Sequence, residues 1–281
     1  MTDMQRSLYC FGLGYSAMQL AERCLAQGWR VGGTVRSAEK ATALRRKGIH
    51  ADVFSVEPSP SPPPRADWLI SIPPGEAGCP AFLSAGALAG NARSITYLST
   101  TGVYGDLGGG WAFEWSPLNP QSRRAQNRVL AEQQWARADR PLAIVRLPGI
   151  YGPGRSPFDR VRAGSAKRII KRGQVFSRIH VDDIAAGLEG VLRTGFANGV
   201  FHLTDDAPAP PQNVTEFAAE LLGMPPPPAI PIEQADLSPM ALSFYSECKR
   251  VSNARAKSIL GWRPKYPTYR EGLRAILETG G

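Results

Sequence analysis

The sequence predicts an α/β protein built on a doubly wound parallel sheet. Two observations carry this. Strand-like apolar runs alternate with helical ones as far as about residue 206, and the first strand closes on glycines before a helix opens. Strands separated by helical crossovers pair in parallel, with helices on both faces. Such crossovers are right-handed, so the sheet winds both ways from its centre.

The elements follow in order. LYCFGLG (8–14) is an apolar strand ending in glycines, and Ser16 opens a helix with Ala17, Leu20, Ala21, Cys24 and Leu25 on one face. Gly28 stops that helix; WRVGGTV (29–35) is the second strand, AEKATALRRKG (38–48) a helix and HADVF (50–54) a short strand. A stiff Pro-rich loop (57–65) precedes the fourth strand, ADWLISIPP (66–74), and a small-residue helix over 80–91 leads into SITYLST (94–100). GVYGDLGGG (102–110) is loop. A helix over about 122–138 and the strand LAIVRL (142–147) come next. The pattern is then irregular until the helix VDDIAAGLEGVLRT (181–194), where Asp182 and Asp183 are expected to cap, and the strand GVFHLTDD (199–206). NVTEFAAELLG (213–223), NARAKSILGW (253–262) and TYREGLRAILE (268–278) are helical. The expected division is a dinucleotide-binding domain over 1–206, interrupted by a substrate-side insertion near 153–177, and a small, mainly helical substrate domain over 207–281. Ligands of this architecture bind at the carboxyl edge of the sheet.

With 281 residues, 43% of them hydrophobic, the chain can bury a packed core. The net charge of +9 is spread over helices and loops without a basic tail, which argues against nucleic acid and for a small anionic ligand. None of the cysteines has metal-ligand spacing, and Cys10 and Cys24 lie in apolar segments. They are expected as buried thiols in a reducing cytoplasm, with no metal. MTDMQRS carries no signal-like apolar stretch, and no run reaches the ~18 apolar residues of a membrane span.

Gly12, Gly14 and Ala17 form G-x-G-x-x-A between the first strand and first helix. Gly12 permits the tight turn, Gly14 lets the backbone approach a pyrophosphate, and Ala17 allows close helix–sheet packing. The helix start at Tyr15 and Ser16 then presents free amides to the anion. The second strand ends in Arg36-Ser37, where an NAD site usually carries an acid and an arginine accommodates a 2′-phosphate. This favours NADP, with NAD as the alternative; Lys40 could assist the 2′-phosphate. Asp52 is a candidate for the adenine amino group or a simple turn residue.

STTGVYGD (99–106), IVRLPGIYGPGR (144–155), RIHVDDIAAGLEGVL (178–192) and SNARAKSILGWRPKYP (252–267), with the early glycines, make the chain resemble the extended short-chain dehydrogenase/reductases, the Rossmann-fold family of nucleotide-sugar epimerases and dehydratases. It resembles most an atypical bacterial branch, the NAD(P)-dependent epimerase/dehydratase-like proteins. The resemblance implies that Thr100 meets the substrate oxygen, that Ser71, Ile72 and Pro73 line the adenine-ribose side, and that Pro148 and Ile150 lie along the nicotinamide. It also implies substrate contacts from Arg155 and Arg178, and it hints at a homodimer through the 122–138 helix. The family's Tyr-x-x-x-Lys would fall in PQSRRAQNRVLAE (120–132), where this sequence has Arg124-x-x-x-Arg128. Spacing of four sets both on one face. Arg128 can replace lysine as a ribose donor, whereas Arg124 cannot exchange a proton near neutrality and would pin an anion; the alternative is a helix turned so that both are solvated. Thr100, Thr101, Tyr104 and Tyr151 are the remaining candidate hydroxyls, with Tyr104 also readable as packing; His180 reads as a buried structural residue. These features imply an NAD(P)-dependent oxidoreductase or epimerase/dehydratase-like enzyme for an anionic, nucleotide-sugar-like substrate. The alternative is a catalytically silent NADP(H)-binding redox sensor.

Overall fold

The computed structural model describes residues 5–194 and 198–280. In chain order the strands are β1 Ser7–Phe11, β2 Arg30–Val35, β3 His50–Val53, β4 Asp67–Ile70, β5 Ser94–Thr100, β6 Trp111–Ala112, β7 Leu142–Leu147, β8 Gly149–Tyr151, β9 Arg168–Ile170, β10 Arg178–His180, β11 Gly199–His202, β12 Ala229–Pro231 and β13 Arg250–Val251. The helices are α1 Tyr15–Ala26, α2 Ala38–Arg46, α3 Pro80–Ala85, α4 Arg123–Trp135, α5 Phe158–Arg162, α6 Val181–Thr194, α7 Pro211–Leu221, α8 Pro239–Tyr245, α9 Ala254–Leu260 and α10 Tyr269–Glu278.

Seven strands form one sheet in the order β11-β7-β5-β4-β1-β2-β3, with every pairing parallel. The doubly wound Rossmann-type fold is therefore as the sequence predicts. Chain order reverses between β1 and β4, and at such a switch point the crossovers leave to opposite faces and open a crevice above the strand ends. On one face α1, α2, α6 and α9 bury small and aliphatic side chains, among them Ala17, Leu20, Ala21 and Cys24 of α1. Within the sheet β2 runs close to β1: a side chain at Gly33 would collide with the carbonyl of its register partner Cys10. On the other face α3 and α4 close over an aromatic cluster of Phe11, Trp68, Tyr97 and Trp135. Cys10 and Cys24 are buried free thiols, and burial lifts the Cys24 thiol to about 12.

Several boundaries differ from expectation. The helix predicted over 80–91 is α-helical only to Ala85, and Gly86–Asn91 winds as a 3-10 helix; glycines at 86 and 90 weaken α-helix propagation there. β4 stops at Ile70 and β11 at His202, short of 66–74 and 199–206. The stretch read as irregular holds α5, β9 and β10. The tail carries short strands as well as helices: β12 pairs with β9, and β13 with β6.

Asp183 does not cap α6. Its carboxylate is buried and accepts the backbone amides of Lys265 (2.6 Å) and Tyr266 (3.1 Å), while its carbonyl takes the Trp262 indole N–H at 3.1 Å. This holds the WRPKYP segment against the sheet layer. α7 and α10 pack together with Tyr151 and Phe158 into a separate small core. No helix among the described residues is long and apolar enough to cross a membrane.

Candidate active site

The glycine turn sits at the switch point. Gly12 has φ +96°, and a side chain there would strike Ile72 and Ser71 at the end of β4. The end of β2 holds the turn: Gly12 N–H donates to Thr34 Oγ1 (3.0 Å) and Leu13 N–H to the Thr34 carbonyl (2.7 Å). The Ser71 hydroxyl donates to the Gly12 carbonyl. Ser71 and Ile72 are half-buried there, and Pro73 beyond them is exposed. Above Gly14 the space is open, and Gly14 gives α1 no side-chain cap. The first-turn amides at Tyr15, Ser16 and Ala17 have no intrahelical acceptor in such a start. Open space, uncapped amides and a positive helix end fit a pyrophosphate.

At the adenosine end, Arg36 is exposed and makes no ion pair among the described residues. Ser37 caps α2, its Oγ accepting the Lys40 amide at 3.3 Å. One expectation needs correction. Lys40 turns inward and donates from Nζ to the Leu13 carbonyl at 2.8 Å, so it braces the glycine turn. Asp52, a candidate for the adenine amino group or a turn residue, pairs its exposed carboxylate with Arg45, 2.6 Å away.

At the reacting end, Thr100 closes β5 and Thr101 is buried behind it. Thr100 Oγ1 accepts the Gly102 amide at 3.2 Å, which leaves its own proton to donate. Pro148 and Ile150 follow β7 and are half-buried. Arg128 and Arg124 diverge. Arg128 Nη1 donates to the Leu98 carbonyl (2.5 Å) and Tyr97 hydroxyl (3.3 Å), pinning α4 to the end of β5. Arg124 is exposed and reaches the other way, 5.9 Å over the Phe244 ring of α8.

Tyr15 links this cleft to a second one. Its hydroxyl donates to the Pro153 carbonyl (2.9 Å), and the Arg155 guanidinium lies 4.3 Å over its ring. Arg155 also lines an open-mouthed cavity of about 520 Å³ between the 151–178 segment, α7, α8 and α10. Arg160, Lys167 and Arg178 line it too, with Tyr151, Tyr245 and Tyr269. Arg178 Nη1 donates to the carbonyls of Phe176 (2.9 Å) and Ala209 (3.1 Å), and burial lowers its affinity for its proton. No carboxylate among the described residues lies within ion-pair distance of it. The charge that most favours its protonation is Asp205, whose own carboxyl is pushed up to about 7, chiefly by burial. Tyr151 is buried with its hydroxyl 3.5 Å from the Thr268 carbonyl, and burial raises its pKa well above the ordinary phenol. His180 is buried between the Tyr151 and Tyr266 rings.

Tyr104 corrects a substrate-binding expectation, because it is fully buried in a polar network. Its hydroxyl accepts from Arg146 Nη1 (2.7 Å) and donates to His202 Nε2 (2.6 Å). His202 Nδ1 lies 2.9 Å from the Ser252 carbonyl, which can only accept, so Nδ1 carries the ring proton. Burial lowers the His202 pKa to about 4 and keeps the ring neutral. Arg146 grips Glu132 twice, at 2.6 and 3.0 Å, and Ser99 donates to the same carboxylate at 2.5 Å. This network ties α4, β5, β7 and β11 together directly below Thr100. Motif reading missed it, since its members are spread from 99 to 252; the one signal was an arginine inside the apolar strand LAIVRL.

No family model matches the chain. The Escherichia coli protein YeeZ is 30% identical over 237 residues, 77% of this chain and 84% of that protein. A Streptomyces 3-diazoavenalumate denitrifying reductase is 34% identical over 159 residues, 52% of this chain and 51% of the reductase, so the match spans about half of that relative's length. Among solved structures, a functionally unknown conserved protein from Silicibacter pomeroyi superposes with a TM-score of 0.91 at 45% identity, over 98% of this chain and 99% of that one. The Bordetella bronchiseptica enzyme WbmG, in complex with NAD, shares the fold with a TM-score of 0.79 at 15% identity, over 99% and 94%.

Proposed function

The chain belongs to the family of Escherichia coli protein YeeZ, and from that premise we propose that it is an NADP-dependent reductase of a small anionic substrate. The observation that carries this reading is the uncapped glycine turn at the switch point, placed between Arg36 and the end of β5. The amides of Tyr15 to Ala17 would hold the pyrophosphate, and unpaired Arg36 the 2′-phosphate. When bound, the nicotinamide supplies or takes up a hydride. WbmG, solved with NAD, supports a nicotinamide dinucleotide by likeness of fold, and the Streptomyces reductase supports reduction; the choice of NADP rests on Arg36 alone.

The residues at the reacting end favour reduction over epimerisation or dehydration. Those latter reactions need a group that takes a proton from substrate at neutral pH. Position 124 is arginine, Tyr104 is locked in the buried network, and burial raises Tyr151 away from that role. Thr100 can donate a hydrogen bond to the substrate atom on which negative charge develops. The proton that follows a hydride would then come from water. The Arg155 and Arg178 cavity orients the substrate by its anionic group.

The test is turnover. Purified protein with NADPH and a panel of anionic carbonyl, enone and diazo compounds is expected to oxidise cofactor with at least one of them. Tight NADPH binding without turnover across the panel would favour the redox-sensor alternative.

A further inference from the structure

We infer that the cavity beside Arg155 selects an apolar or aromatic acid, a flat hydrocarbon body ending in a carboxylate or phosphate monoester, and not a nucleotide sugar; this rests on the reading of the cavity as the substrate site.

The charge in the lining is of one sign. Arg155, Arg160, Lys167 and Arg178 face the space, and no Asp or Glu lines it. Arg178 is the fixed member. Two backbone carbonyls hold its guanidinium, and no carboxylate among the described residues pairs with it. A partly desolvated cation without a counterion is costly, and an anion entering the cavity relieves that cost. Asp205 is a poor substitute, because burial keeps much of its carboxyl protonated near neutrality.

Most of the other lining side chains are apolar or aromatic. Three tyrosine rings and side chains such as Ile169, Val214, Leu237 and Leu273 are among them. The neutral polar lining residues besides the tyrosines are Ser156, Gln212 and Thr215, and the Gln212 Oε1 is buried with no partner among the described residues. A hexose has many hydroxyls, and each one buried against aliphatic carbon would lose its water without a replacement. A ring or chain of carbon loses nothing there and gains from dispersion against the tyrosine faces. The phosphates of a nucleotide sugar would satisfy the cations, but its sugar would not satisfy the walls.

Calorimetric titration of the NADPH-loaded protein with cinnamate, phenyl phosphate, cinnamyl alcohol and UDP-glucose tests this. Cinnamate or phenyl phosphate is expected to bind tightest, and which of the two wins identifies the anion. The neutral alcohol is expected to be about 10- to 100-fold weaker, as is cinnamate on Arg178→Met, in line with a charge-assisted hydrogen bond. The exposed Lys167→Met variant keeps the test open should Arg178→Met not fold, and is expected to weaken cinnamate severalfold. NADPH affinity, read by its fluorescence, should be the same in both variants. UDP-glucose binding tighter than either aryl acid, an alcohol as tight as the acid, no binding by either acid, or no loss in the variants would each overturn the inference. NADPH binding in that case leaves the reductase reading standing; acid binding by a protein that does not bind NADPH supports the cavity assignment and removes the reductase.

Discussion

Arg146 and Arg178 are two arginines drawn away from bulk water on the carboxyl side of the same sheet, and they spend their charge differently. Arg146 meets a carboxylate with Nε and Nη2, and the Tyr104 phenol and the Glu114 carbonyl complete its shell. Arg178 meets two backbone carbonyls and the face of the Tyr269 ring, has no ion pair among the described residues, and opens onto a cavity. A charge that the fold has already neutralised belongs to the scaffold, whereas one left for a visitor to neutralise belongs to a site. A contrast in hydrogen bonding separates Arg128, whose guanidinium is spent on the end of β5, from exposed Arg36, which has no ion pair among the described residues.

The sharpest way to break the comparison is to remove partners. Glu132→Ala strands the Arg146 charge in the core and should cost about 3–5 kcal/mol of unfolding free energy by denaturant titration. Glu132→Leu combined with Arg146→Met should recover most of that loss. Arg178→Met, in contrast, should change stability by no more than about 1 kcal/mol, since it removes a cation the fold does not neutralise. Equal losses at the two sites would erase the distinction. Next in size is Thr100→Ala, expected to lower turnover about 100-fold, the scale of losing one preorganised donor, with NADPH affinity unchanged. Arg36→Asp should weaken NADPH about 10- to 100-fold and NADH much less, measured by fluorescence titration.

The smallest effect is one of pH. Burial raises the Asp205 carboxyl, against the opposing pull of Arg178, and Asp206 adds to the rise. As pH rises through about 7 Asp205 ionises and begins to compensate Arg178 itself, so the affinity for an acid should fall severalfold. Asp205→Asn should flatten that profile. Stability follows the same linkage. Because the folded-state value is raised, the Asp205 contribution is present at low pH and is lost as pH rises through about 7. His202, lowered to about 4, acts in the opposite sense: its contribution is lost as pH falls from the ordinary histidine value toward 4. Melting temperatures of the wild type and Asp205→Asn from pH 4 to 8 separate the two.

The sheet was legible because each central strand is followed by a helix with a single apolar face, and that alternation leaves few topologies. The glycine turn was legible because its three small residues each meet a local steric need; the collision awaiting a side chain at Gly12 is one of them. The short strands β6, β8, β9, β10, β12 and β13 were not, since two or three residues cannot show a period of two. Nor was the destination of Asp183, a helix-start residue whose carboxylate serves backbone amides more than eighty positions away. The cavity escaped for the same reason. Its walls come from residues 151–178 and 211–273, and their like charges become one feature only after β10 pairs with β8 and α10 packs on α7.

Every chemical step proposed depends on the turn at Gly12 to Ala17 accepting a dinucleotide. Calorimetric titration of the purified protein with NADPH and NADH measures this directly. The account predicts one NADPH bound per chain, more tightly than NADH; no heat with either nucleotide at millimolar concentration in dilute buffer would contradict it.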